Sequence, residues 1–160
     1  MSDYFPAEIR IGGPVSRNRL GELTRVIVEE GVSLEGYGGP DATQDALQES
    51  LREGAIVALY ADQARYGQFD SLEAFLVKHR IHFDRYSEAF CEFSAEAVFY
   101  RGGEEAIILP ADQSGHVLLR FEDIVGILDD SALDEGGKVG AIRCLVARPE
   151  TEPLAPIRFI

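Results

Sequence analysis

"LTRVIVEEGVSLEGY" spans residues 23–37, and "LEAFLVKHRIHFDRY" spans residues 72–86. Few letters coincide, yet the apolar positions fall in step at one constant offset. Leu23 returns as Leu72, Val26 as Phe75, Ile27 as Leu76, Val28 as Val77, Val32 as Ile81, Leu34 as Phe83 and Tyr37 as Tyr86. Each copy changes its period partway along. Steps of three and four give way to alternation, which is the mark of a helix running into a strand.

Working outward, "AEIRIGG" ahead of the first copy alternates Ile9 and Ile11 with Glu8 and Arg10, a half-buried strand. In "SRNRLGELTRVIVEEG" Leu20, Leu23, Val26 and Ile27 fall on one helical face, with Ser16 as N-cap and Gly31 as stop. "VSLEGY" then returns as a strand. The second copy repeats the order: "AIVALYAD" is a strand, "FDSLEAFLVKHR" a helix in which Asp70 and Glu73 have capping-box spacing, and "IHFDRY" the returning strand. Between them, "GGPDATQDALQESLREG" reads as a turn, an Asp41 cap and a short helix ending at Gly54.

Two strand–helix–strand units in tandem predict an α+β fold, a ferredoxin-like sandwich with an inserted helix. Both long helices cover one sheet face, so each half helps bury the other's apolar stripe. The duplicated region is assigned to residues 1–94, and a β-rich C-terminal region packed on it to residues 95–160. In that last part "AEAVFYRGGEEAIILP" is a hairpin, "HVLLRFEDIVGILDD" a strand entering a short helix, "KVGAIRCLVARPE" a strand and "PIRFI" a terminal edge strand.

With 160 residues, 46% of them hydrophobic, the chain can bury a substantial core. The formal net charge of −13, from 28 acidic and 15 basic side chains, repels phosphates and anionic lipid. Direct nucleic-acid and membrane binding are therefore not expected. "MSDYFPAEIR" has neither a basic nor an apolar leader region, and the run "AIVALYA" is too short to span a bilayer, so a soluble cytoplasmic protein with reduced thiols is expected. Cys91 in "AFCEF" and Cys144 in "IRCLV" lack metal-ligand spacing and read as core residues.

Alternation turns Val32, Leu34, Ile81 and Phe83 toward the helices. It leaves Ser33, Glu35, Tyr37, His82, Asp84 and Tyr86 on the opposite face, where Arg10, Tyr60 and Asp62 join them from the central strands. An acidic surface lined with tyrosines suits a protein partner with a basic surface, because tyrosine offers apolar area and a polar tip. The expected function is thus a non-enzymatic binding or regulatory protein, an inhibitor or DNA mimic being special cases. Exposed edge strands allow a homodimer. An alternative draws on "IGGPVSRNR", where Arg17 and Arg19 at a helix start would hold an anion, with His82, Asp84 and Tyr86 as proton-transfer groups of a small enzyme or ligand-binding domain. His79 and His82 straddle a helix end and a strand, so no metal is expected, and no cofactor. Ser114 and His116 share a loop without a third member, and no catalytic set is assigned.

Overall fold

The computed structural model describes residues 3–90, 93–146 and 153–160. Strand β1 (Tyr4–Gly12) buries Phe5, Ala7, Ile9 and Ile11 and turns Glu8 and Arg10 to the other face. It is flanked antiparallel by β3 (Val57–Arg65) and β4 (His82–Ser87). Beyond β4 run β5 (Glu96–Tyr100) and β6 (Ile107–Pro110), giving an antiparallel sheet ordered β3-β1-β4-β5-β6. Helices α1 (Leu20–Glu29), α2 (Gln44–Arg52) and α3 (Asp70–Lys78) bury Leu23, Ile27, Leu47, Leu51, Leu72 and Leu76 in one cluster with Ile9, Ile11, Leu59 and Phe83 from the sheet. The chain is therefore mixed α+β. Among the described residues no helix is long and apolar enough to cross a membrane.

The two copies are tied together at their helix ends. Leu72 N–H, in the first turn of α3, donates to Glu30 Oε1 at 2.8 Å, so the residue closing α1 caps α3. Partial burial raises the Glu30 pKa, against the lowering by the amides of Leu72 and Ser71. Glu73 reaches back to accept from Phe69 N–H at 3.0 Å, the reciprocal half of a capping box whose first half is missing because Phe69, not Asp70, is the N-cap. The inserted helix is capped by Thr43, which accepts from Ala46 N–H, rather than by Asp41. Ser16 makes no side-chain cap bond and leads into a 3-10 turn ahead of α1.

Three expected strands are absent. "VSLEGY" is not a strand: Ser33 alone bridges Tyr60 and Asp41. Ser33 Oγ instead accepts from Glu35 N–H at 3.0 Å, and Gly36 and Gly38 have positive φ, so local turn bonds replace a ladder. The 116–120 stretch forms one bridge, Ala111 to Val117. "KVGAIRCLV" lies in a helix, α5 (Glu135–Val146), which follows α4 (Phe121–Asp129). Asp134 is the overlooked signal, since its carboxylate accepts from Gly137 N–H at 2.7 Å as an N-cap does. Cys144 is consequently exposed on α5 rather than in a core, and Cys91 lies outside the described residues. "PIRFI" gives the two-residue β7 (Arg158–Phe159), parallel to β2 (Pro14–Val15) in a separate two-stranded sheet. The Gly-Gly hairpin forms as β5–β6, and it extends the main sheet sideways instead of adding a layer over it.

Arg85 follows Phe83 onto the helix side of β4 and is 3% exposed. Its guanidinium meets Glu96 at 2.5 Å and Glu73 at 2.9 Å, and donates to the Gly67 carbonyl at 2.7 Å. The Glu73 contact is an ion pair lacking hydrogen-bond alignment at Nε. Burial raises the Glu73 pKa more than Arg85 lowers it. That contribution to stability is complete below the unfolded value of 4.5 and declines as pH rises through the folded one. Removing the cation strands two carboxylates, one of them mostly buried. Arg85→Ala is expected to cost about 3–5 kcal/mol in urea unfolding at neutral pH. Arg85→Met combined with Glu73→Gln, which also removes the buried carboxylate, should cost clearly less. Equal losses in the two variants would show that packing, not charge, sets the effect.

Candidate functional site

On the sheet face away from the helices, the register aligns Glu8 with Tyr60 on one side and Tyr86 on the other, and Arg10 with Ala58 and Asp84. Glu8, Arg10, Tyr60, Asp84 and Tyr86 line a cleft of about 400 Å³ whose wall continues through Phe99 to a rim at Ser114 and Gly115. The rim is built by an Asx turn. Asp112 Oδ1 accepts from Ser114 and His116 N–H, lowering the Asp112 pKa, and Tyr86 O–H donates to the Asp112 carbonyl at 2.7 Å. Behind the turn Ala95, Ala97 and Ala111 make a small second cluster with Tyr86, Phe99 and Val117. The turn thus fixes the Tyr86 ring without covering the cleft.

Tyr37 reaches the same face from a turn rather than from a strand. Its ring stands edge-on to Tyr60 with centroids 5.3 Å apart. The turn is pinned by Gly38 N–H, which donates to both Asp62 carboxylate oxygens at 2.9 and 3.1 Å. Partial burial raises the Tyr37 pKa well above 10.0, and the negative fields of Glu8 and Glu88 add to it. Tyr86 is shifted the same way by burial and by Glu88 and Asp112. Glu35 is exposed in the Tyr37 turn. Tyr37, Tyr60 and Tyr86 therefore share one electronegative surface. Glu8 and Glu88 were not singled out in the sequence, although Glu8 sits on the outward parity of β1.

Other expected site residues are placed elsewhere or already engaged. Asp84 Oδ1 lies 2.6 Å from Arg101 and is held as an ion pair. His82 sits at the sheet end between two glycine turns: a Cβ at Gly13 would come within 2.7 Å of its ring, and one at Gly102 within 3.2 Å. Four residues along β4, about 13 Å at strand spacing, separate it from Tyr86, beyond proton-transfer reach. His79 closes α3 against the Phe75 ring, and among the described residues no group of three His, Cys, Asp or Glu side chains is placed to hold a metal. Arg17 lies over the Phe159 ring and Arg19 pairs with Glu22. The amides of the "IGGPVSRNR" loop are also in use, since Gly13 N–H donates to the Ala155 carbonyl and Arg17 N–H to Ile160. Ser114 and His116 meet Asp112 through backbone amides, and His116 Nδ1 is 3.2 Å from its carboxylate.

A larger recess of about 540 Å³ lies at the opposite end of the sheet, between Phe5, Tyr66 and Phe93. Phe93 adjoins residues 91 and 92, outside the described set, and the tyrosine cleft is the better-defined site.

The Tyr37 environment has a direct spectroscopic consequence. Its proton is held more tightly folded than unfolded, so its contribution to stability is complete below pH 10.0 and is lost as pH rises through the higher folded value. In an alkaline absorbance titration, Tyr37→Phe should remove a phenol that ionises after the ordinary ones. Glu8→Gln should bring that phenol forward. An ordinary midpoint for Tyr37 would contradict both its burial and the negative field of Glu8 and Glu88. Comparison with protein-family models, with curated proteins and with solved structures finds no match to this chain.

Proposed function

We propose that this protein is a non-enzymatic binding or regulatory protein of the cytoplasm, and that its outer sheet face engages a partner protein through an electropositive surface. The observation carrying this reading is the Tyr37–Tyr60–Tyr86 surface set among Glu8, Glu88 and Asp62. Tyrosines fixed by neighbouring contacts give large contact area at small entropy cost, and the carboxylates around them favour lysine and arginine. The cleft's own acids near the floor are balanced by Arg10 and Arg101, so the excess negative charge lies at the margin, where it steers encounter. A nucleic-acid-binding protein, met by this chain as a DNA mimic, is one partner of that chemistry.

The fold supports the same reading. Strand order β4-β1-β3 with the Ser33 bridge outside β3, all antiparallel, is consistent with a ferredoxin-like sandwich whose second strand has shrunk to a single bridge. Such an arrangement leaves one sheet face for recognition.

The test is a tagged capture from nuclease-treated lysate of the native source, comparing wild type with the Tyr60→Ala, Tyr86→Ala double variant. A basic protein should be retained by wild type and released as salt rises from about 0.1 to about 1 M, where the Debye length falls from about 10 to about 3 Å. The double variant should bind it at least about tenfold more weakly, as expected for buried aromatic anchors. Tyr86→Phe keeps the ring and should stay close to wild type. Retention unchanged in the double variant would move the interface elsewhere, and an uncharged, salt-indifferent partner would remove the electrostatic part.

A further inference from the structure

The recess at the far end of the sheet is walled by a turn that its own sequence does not favour. Residues 65–68 form a tight turn closed by Gln68 N–H, which donates to the Arg65 carbonyl at 3.0 Å. Tyr66 stands at φ 53° and Gly67 at φ 66°. Two consecutive left-handed residues make a type I′ turn, where an Asn-Gly pair is preferred and tyrosine carries a steric cost. What Tyr66 supplies in return is a ring, tilted 56° to that of Phe93 with centroids 5.8 Å apart. Phe93 in turn stacks on Phe5 at 5.6 Å. With Gln68 and Ile108 the three rings bound about 540 Å³, a volume within the range of small-molecule sites.

The polar groups of the recess select the charge of an occupant. Ser87, 2% exposed, and Glu96 line it, and both are bonded to Arg85. Arg85 has no donor direction left for an anion. Its Nε faces Glu73, Nη1 serves the Gly67 carbonyl and Ser87, and Nη2 serves Glu96. Glu96 Oε1 takes that guanidinium, and among the described residues its Oε2 has no partner. Arg65, the other cation nearby, lies over the Tyr66 ring at 5.3 Å, and Asp3 accepts from the Tyr66 hydroxyl. Glu73, Glu96 and Asp3 thus outnumber Arg85 and Arg65 by one. Aromatic faces attract cations through their negative quadrupole, and a carboxylate oxygen accepts an ammonium N–H strongly. We propose that this recess binds a small organic ammonium ion, its nitrogen at Glu96 Oε2 and its apolar body among Phe5, Tyr66 and Phe93. The inference is independent of the sheet-face reading.

Amide-resolved NMR titration of the full chain with phenethylammonium tests it. Phenethyl alcohol and phenylacetate are the neutral and anionic counterparts of similar shape. The ammonium ion should bind at least about tenfold more tightly than the alcohol, and phenylacetate more weakly than either. Glu96→Gln should weaken ammonium binding about tenfold and leave the alcohol unchanged. Tyr66→Asn gives the turn its preferred Asn-Gly pair, so the urea midpoint should hold while the ammonium ion binds at least about fivefold more weakly. The Tyr60→Ala, Tyr86→Ala double variant should titrate as wild type does, which separates this site from the tyrosine cleft. Absence of ammonium-dependent shifts at Tyr66 and Gln68, equal affinity for the three probes, binding unchanged in Tyr66→Asn, or binding lost in the double variant would each overturn the proposal.

Discussion

Arg85 carries a full charge into a layer otherwise filled by isoleucine, leucine and phenylalanine, and four parts of the chain supply its partners. Glu73 comes from α3, Glu96 from β5, the Gly67 carbonyl from the turn before α3, and Ser87 from β4 itself. A buried ion pair adds little net stability, because desolvation offsets most of the attraction. Its effect is on alternatives. Sliding β4 by one residue would expose Arg85 to water, strand Glu73 without its cation, and push Asp84 and Tyr86 among the apolar helix faces. The register that satisfies Arg85 is therefore the one that turns Tyr86 and Asp84 outward. In that sense the polar knot on the inner face fixes the tyrosine cleft on the outer one.

The division of faces was legible wherever strict alternation extended over a full strand. Ile9 and Ile11 on β1, Phe83 on β4 and the Leu23, Ile27, Leu72 and Leu76 stripes lie where their spacing places them. The same parity, carried two residues past Phe83, already put Arg85 inside. It was legible as a position but not as an ion pair, because Glu96 belongs to a strand whose register is not written locally. Short segments misled for a different reason. Around residues 32–37 two apolar side chains suggest a strand, but a serine able to bond its own backbone and glycines at positive φ offer the chain a cheaper turn. Tyr37 reaches Tyr60 all the same, because Asp62 holds the turn by the Gly38 amide. In 138–146 the apolar residues are too closely spaced to separate period two from 3.6, and the Asp134 cap decides.

Gly12 and Gly13 illustrate how a motif can be specific without being functional. A strand leading through Gly-Gly-Pro to a helix resembles an anion cradle in one dimension. In three dimensions the amide of Gly13 is taken by Ala155, and a Cβ on Gly12 would stand 2.2 Å from that same carbonyl oxygen. Gly13, at φ +73°, lies against the His82 ring. The glycines admit the C-terminal segment beside the end of β1, where Arg158 and Phe159 pair with Pro14 and Val15. The close approach that would have served a phosphate serves the chain's own backbone.

Because β5 and β6 continue the sheet in its plane, they do not cover the outer face; among the described residues the 111–117 turn folds against it. That turn spends Asp112 on two backbone amides and on the Tyr86 hydroxyl through its carbonyl, which buries three alanines and leaves the cleft floor open. The remaining apolar residues of that region are spent on α4 and α5, away from the core they might have enlarged. The outer sheet face is consequently left as an aromatic, electronegative surface. Its rings are held by the Tyr86 hydroxyl's bond to the Asp112 carbonyl and by the Tyr37–Tyr60 edge contact. Rigid, satisfied tyrosines suit a surface that is open until a partner arrives.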